Sequence, residues 1–330
     1  MQALRTSTPY RCQDFIMATR YTNLPDNKDK PFGGAYSVYD VETVECRNMI
    51  IEDLSWQERS PDDVRKEFLS TYMEWMPSTH NLIGIEKYTH ACFTQGTTES
   101  FAQFYIRYRN KRLRLAKGEY FYHQMMHGLW YASGIDISSL GNFAWLSDEE
   151  IKSDNVVLIS VPFSDTGDIP DYLESLLTIC DERNVPVMID LAYVNIAKGL
   201  TINLEHPCIE YVVSSLSKVF PVEHHRIGIR LQREMFEDQI YVVNEENYNY
   251  INLLSAHLGA EMMKSFPADY IYNKYKDAQD YYCKKYNVDI SSCVYFGIDK
   301  LNQYSTYSRG NDTNRLCFSR IWDGRMNECS

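Results

Sequence analysis

The stretch VVSSLSKVFPVEHHRIGIRL, residues 212–231, ends an apolar strand in Ser-Leu-Ser-Lys. Arg226 follows Lys218 by eight residues and opens a second apolar run, IGIRL. One flexible ammonium, two hydroxyls and one guanidinium therefore gather near the end of a buried strand. The guanidinium is a planar fork that suits phosphate or carboxylate. The plain alternative is a solvated turn, and the flanking sequence decides between the two.

Working outward, NVVLISVPF (155–163), VPVMIDLAY (185–193), EYVVSSLSK (210–218) and IGIRL (227–231) are continuous apolar runs. DYLESLLTICDERN (171–184) carries helical spacing between the first two, with a cap near Asp168. Apolar strands alternating with helices predict an α/β fold with a mostly parallel sheet covered on both faces. PDDVRKEFLSTYMEWM (61–76) predicts an amphipathic helix starting at Ser60-Pro61, and ESFAQFYIRYR (99–109) another, straight after QGTT. Beyond 232, NLLSAHLGAEMMKSF and YIYNKYKDAQDYYCKKY read as helices, with strands near 292–297 and 314–319. The expected organisation is an N-terminal arm or part of a small domain (1–45), a large α/β domain (46–235), and a linking helix with a small C-terminal α+β domain (236–330).

Bulk composition sets the outer limits. The 330 residues are 44% hydrophobic and 24% charged, ordinary for a chain with its own core. Lys+Arg 33 against Asp+Glu 45 gives a formal net charge of −12, a field that repels nucleic acid and anionic membrane. The basic run RYRNKRLRLAK (107–117) is read as the solvated end of a helix and the turn after it. Nine cysteines form no CxxC pair, which points to a reducing compartment. With no apolar signal segment and no membrane-length run, a cytoplasmic location is expected.

The chemistry gathers at strand ends and helix starts, where open α/β sheets hold ligands. QGTTES (95–100) is a Gly-Thr-Thr turn opening a helix, an anion site by its free N–H groups and dipole. FSDTGD (163–168) closes one strand with polar groups. In DLAY (190–193) an acid ends another strand, with a phenol three residues on. Lys218 and Arg226 complete the order.

Phosphate turn, strand-end acid with nearby tyrosine, SLSK and then arginine resemble the pyridoxal-phosphate enzymes of aminotransferase class I/II. These have the aspartate-aminotransferase fold (fold type I): a large α/β domain plus a smaller α+β domain. The resemblance runs from about residue 60 to 231. It implies pyridoxal 5′-phosphate as cofactor, with Lys218 forming the Schiff base and shuttling the proton. Asp190 would keep the pyridine nitrogen protonated, and Tyr193 would hydrogen-bond the ring's phenolic oxygen. Gly96, Thr97, Thr98, Ser215, Ser217 and Arg226 would hold the phosphate. His123, with Tyr122 as its alternative, would stack on the ring from the aromatic loop 118–134. Arg315 in NRLCFSR (314–320) would receive the substrate carboxylate, with Arg320 as runner-up. The resemblance further implies a homodimer with a shared active site, to which Trp56 or Tyr250 of a neighbouring subunit could contribute.

The chain departs from the family in two places. Ser164-Asp165-Thr166-Gly167 stands where the family carries Asn-Pro-Thr-Gly, so Ser164 would donate to the cofactor oxygen in place of Asn. Pro221, Val222, Glu223, His224 and His225 replace a glycine-rich turn after the lysine; the adjacent histidines are not read as a metal site. Three functions follow. The first is amino transfer from an amino acid, through an external aldimine, to a 2-oxo acid. The second is a lyase or cyclase using the same lysine. The third is a non-catalytic binding protein that keeps the fold.

Overall fold

The computed structural model describes residues 31–123, 143–245 and 247–322. Most of the N-terminal lead-in (1–30) and the later part of the aromatic loop (124–134) lie outside the described residues.

Seven strands form the main sheet: β2 (His90–Thr94), β3 (Arg112–Leu115), β4 (Phe143–Trp145), β5 (Asn155–Ser160), β6 (Val187–Asp190), β8 (Ile209–Ser215) and β9 (Gly228–Gln232). Their spatial order is β2-β9-β8-β6-β5-β3-β4. From β8 to β4 every pairing is parallel, while β9 runs antiparallel to both β8 and β2. The reversal has a simple cause. A parallel crossover usually runs through a helix, whereas residues 216–227 hold no helix beyond a 3₁₀ turn at Leu216–Lys218. Strands β5 and β6 are buried along their whole length, as continuous apolar runs covered on both faces must be.

Seven helices among the described residues accompany the strands. They are α1 (Val41–Glu52), α2 (Pro61–Trp75), α3 (Thr97–Arg107), α4 (Leu173–Glu182), α5 (Gln239–Asn244), α6 (Leu253–Ser265) and α7 (Tyr270–Tyr286). On α2, Val64, Phe68, Tyr72 and Trp75 form the buried stripe that the 3.6-residue period requires. A short pair, β1 (Asn81–Ile83) with β7 (Thr201–Asn203), lies apart from the main sheet. A three-stranded antiparallel sheet, β10 (Asp289–Ile290), β11 (Phe296–Asp299) and β12 (Asn314–Cys317), contacts α7. Phe32 bridges to Cys317 beside it.

Three local expectations need correction. Helix α4 starts at N-cap Tyr172 with no side-chain cap. Asp168 instead accepts the Ser292 amide at 2.7 Å and ties the two sheets' loops together. The basic run 107–117 is not merely a solvated helix end, because Arg112–Leu115 is strand β3. Arg114 is fully buried there and donates to the carbonyls of Trp145, Glu149 and Glu150 and to Asn155 Oδ1, at 2.6–3.0 Å. A buried guanidinium is tolerable when carbonyl dipoles answer its donors. Lastly, the linking helix expected near 235–265 is two helices, α5 and α6, because Asn252 starts a new one by accepting the Ser255 amide at 3.1 Å.

Arg114→Met should therefore orphan several buried acceptors at once. The expected loss is roughly 2–4 kcal/mol of unfolding free energy, read as a lower urea midpoint with an unchanged slope.

Candidate active site

Parallel strands deliver their carboxyl ends to one edge of the sheet, and the polar residues collect there. β5 ends at Ser160, β6 at Asp190 and β8 at Ser215, with Ser160 and Asp190 paired in register. These ends line a cavity. Ala192, Tyr193, Ser164, Ser217 and Lys218 also line it. Thr97 and Thr98 at the start of α3 and Arg226 join the lining.

The phosphate-type corner is built by close backbone approach. Gly96 precedes α3 with φ of 74°, and no side chain caps the helix, so its first N–H groups remain available. A Cβ at Gly96 would come within 2.6 Å of Arg226 Nη2. One at Gly228 would come within 2.9 Å of the Gly96 Cα. Arg226 itself sits at φ 55°, rare for a residue with a side chain, and donates to Thr98 Oγ1 at 2.7 Å. Ser217 Oγ is buried with no hydrogen-bond partner.

Asp190 is buried beneath the cavity, its Oδ1 accepting the Ala192 amide at 3.0 Å. Burial, with the negative charge of Glu119, pushes its carboxyl up to about 7. Lys218 Nζ donates to the Ala35 carbonyl at 2.8 Å, so the segment leading into α1 reaches over the lysine. Arg315 lies buried on β12, packed 4.5 Å over the Phe296 ring. It donates to the Ser164 carbonyl, to Tyr193 Oη at 3.3 Å and to the Gly33 carbonyl at 2.9 Å. Arg320 packs 4.5 Å over the Tyr36 ring.

Among the described residues, Tyr120 joins Tyr193 as an aromatic side chain lining the cavity, whereas the sequence reading placed His123 or Tyr122 there. His123 is fully buried away from the cavity lining, 2.7 Å from Tyr105 Oη and 4.4 Å from the Phe101 ring centre. Burial lowers its pKa to about 3, so it is a neutral core imidazole. Tyr122 packs in parallel on Tyr120 at 5.7 Å. The missed signal was strand β3: once RLRL is a strand, Gly118-Glu119-Tyr120 falls at its carboxyl edge.

Two further residues were not anticipated. The buried Glu119 carboxylate accepts the Ser160 amide at 2.6 Å, the Ser160 hydroxyl at 2.8 Å and the Tyr120 amide at 2.8 Å. Arg309, from the loop before β12, donates to Ser164 Oγ at 3.1 Å. Nothing in the Ser-Arg-Gly context of Arg309 marks it as inward-facing. In the turn after Lys218, Glu223 receives the hydroxyls of Ser37 at 3.2 Å and Tyr39 at 2.5 Å.

The sequence matches the aminotransferase class I and II family over residues 52–268, and the chain belongs to that family. It is thus a pyridoxal-phosphate-dependent enzyme of amino-acid chemistry, with fold type I architecture. No curated protein matches it in sequence at a significant level. Among solved structures, a C-S lyase from Staphylococcus hominis is similar with TM-score 0.62 at 11% identity, covering 91% of this chain and 92% of that one. A tyrosine aminotransferase from Leishmania infantum gives 0.62 at 10% identity, with 90% and 92% covered. A probable N-succinyldiaminopimelate aminotransferase from Thermus thermophilus gives 0.56 at 13%, with 89% and 93% covered. At such identities the likeness is one of fold.

The cavity suits the cofactor chemically. The uncapped helix start, the glycine cradle against Arg226 and the orphaned Ser217 hydroxyl fit a phosphate ester. A buried carboxylate without a cationic hydrogen-bond partner fits a protonated ring nitrogen.

One consequence concerns the cofactor-free protein. A carboxyl raised from its ordinary 3.8 to about 7 keeps its proton in the folded chain after the unfolded chain has lost it. Stability contributed by Asp190 then falls as pH rises from about 4 to about 7. Asp190→Asn cannot ionise, so it should raise the urea midpoint of the cofactor-free protein at pH 8 and leave it nearly unchanged at pH 4. Equal effects at both pH values would contradict this.

Proposed function

We propose that this enzyme moves an amino group between an amino acid and a 2-oxo acid, with Lys218 as the residue that holds the cofactor and carries the proton. The observation behind this reading is the convergence of Lys218, Asp190 and Tyr193 on one cavity that the α3 start and Arg226 also line. When bound, pyridoxal phosphate supplies an electron-withdrawing ring that acidifies the amino acid's α-carbon.

The remaining work belongs to the chain's own residues. Gly96, Thr97, Thr98, Ser215, Ser217 and Arg226 hold the phosphate through N–H groups, hydroxyls and one guanidinium. Asp190, ionised against a cationic nitrogen, holds the proton on the ring. Tyr193 and Ser164 would donate to the ring oxygen, with Tyr120 lining the same cavity. Lys218 Nζ, released from the Ala35 carbonyl, takes the α-proton and returns it elsewhere as general base and then acid. Arg315 receives the substrate carboxylate in place of the Gly33 carbonyl. The active unit in this reading is a homodimer. Tyr250, 78% exposed, is available to a neighbouring subunit.

Protein reconstituted with pyridoxal phosphate should show the visible band of a lysine-bound cofactor, and Lys218→Ala should lose it. Adding an amino acid should convert the bound cofactor to its amine form, and a 2-oxo acid should restore the band. Consumption of the amino acid with ammonia release and no need for an oxo acid would instead make the enzyme a lyase. Absence of the band in the native protein would leave a non-catalytic binding protein.

A further inference from the structure

Two hydroxyls line the cavity beside each other's supports, and each is backed by an arginine. Tyr193 Oη accepts from Arg315 Nη1 at 3.3 Å, and Ser164 Oγ accepts from Arg309 Nη2 at 3.1 Å. A hydroxyl that accepts from a guanidinium cannot aim its own hydrogen at that partner, since arginine has no acceptor. For Ser164 no protein acceptor takes that hydrogen among the described residues. Ser164 is 2% exposed and faces the cavity, so the hydrogen has the cavity as its direction.

We propose that Arg309 is a positioning residue: its guanidinium fixes the Ser164 hydroxyl as an obligate donor to an anionic oxygen held in the cavity. The proposal rests on the cofactor reading above, in which that oxygen belongs to the pyridoxal ring.

The surroundings hold Arg309 to this task. The same Nη2 lies 3.3 Å from the Glu119 carbonyl and 3.5 Å from that of Gly118. Its Nε stands 3.5 Å from Asp165 Oδ1, and Thr313 Oγ1 donates to Asp165 Oδ2 at 2.8 Å. The charged and titratable groups facing the pair are therefore Asp165, Glu119, Arg315 and Tyr193. The Ser164 amide is fixed separately, donating to Ser160 Oγ at 2.8 Å, and Ser160 in turn donates to Glu119. Backbone and hydroxyl of Ser164 are thus held by two different partners. A serine's hydroxyl hydrogen rotates about the Cβ–Oγ bond, and the arginine on its oxygen supplies the missing constraint. Asp165 pairs with Arg309, which gives the unexpected acid in this turn a place in the same device.

The test reads the bound cofactor's spectrum, not turnover. In the holoenzyme, the visible band of the lysine-bound cofactor changes with pH as the linking nitrogen loses its proton. Weakening a donor to the ring oxygen leaves more negative charge beside that nitrogen, so the proton is held more tightly. Arg309→Gln should move the midpoint up by roughly one pH unit, the size of one charge-assisted hydrogen bond. Ser164→Ala should do the same, and the double variant should move it no further than the larger single shift. Arg309→Lys should recover part of the native midpoint. A native midpoint in either single variant, or fully additive shifts, would overturn the proposal. If Arg309→Gln does not fold, an unshifted Ser164→Ala overturns it alone. A native protein with no visible band would sink the cofactor reading instead, a separate and distinguishable failure.

Discussion

The short return between β8 and β9 is the constraint on which the site depends. Because residues 216–227 hold a 3₁₀ turn and no α-helix to carry a crossover, the chain turns back antiparallel beside the strand it has just left. That return places Ser217 and Lys218 at one end of the turn and Arg226 at the other, within one cavity. The antiparallel register then runs on into β2, setting Thr94 opposite Gly228. Gly96 is thereby carried against the arginine. A helix in place of this turn would give a fully parallel sheet and scatter these groups.

A site made this way concentrates charge where water is scarce. Asp190, Glu119 and Asp165 are buried near Arg309 and Arg315. Their solvation is replaced piecewise: Glu119 by two amides and a hydroxyl, Arg315 by two carbonyls and a phenol, Asp165 by Arg309 and a threonine. Asp190 is treated differently. It receives one backbone amide and the repulsion of Glu119, which is why its proton is held so tightly in the cofactor-free chain. Leaving one buried carboxylate under-solvated is costly to the apoprotein. It is also what makes a cationic ring nitrogen a strongly preferred guest.

The sequence made much of this legible, for identifiable reasons. Continuous apolar runs mark strands covered on both faces, so β5, β6, β8 and β9 could be read directly, and with them every residue at their ends. Strand β3 could not, because RLRL carries a charge at a buried position that distant acceptors, the carbonyls of residues 145–150 and Asn155 Oδ1, make tolerable. Without β3 the aromatic wall is placed two or three residues too far along, at Tyr122 or His123 in the loop 118–134. Arg309 was illegible altogether. Its partners lie about 145 and 190 residues upstream, and no local pattern encodes such contacts.

Segment 31–40 ties these observations together. Its Gly33 and Ala35 carbonyls occupy Arg315 and Lys218, while Ser37 and Tyr39 engage Glu223 in the turn after the lysine. Carbonyl oxygens are neutral acceptors, so they satisfy buried cations only partly, and a carboxylate or an anionic ring system competes well for the same donors. The cations are thus kept in place without being neutralised. Such holding costs less to undo than an ion pair, because a neutral carbonyl left behind demands less solvation than a charge. Segment 31–40, which carries no motif of its own, thus covers Lys218 and Arg315 rather than adding chemistry.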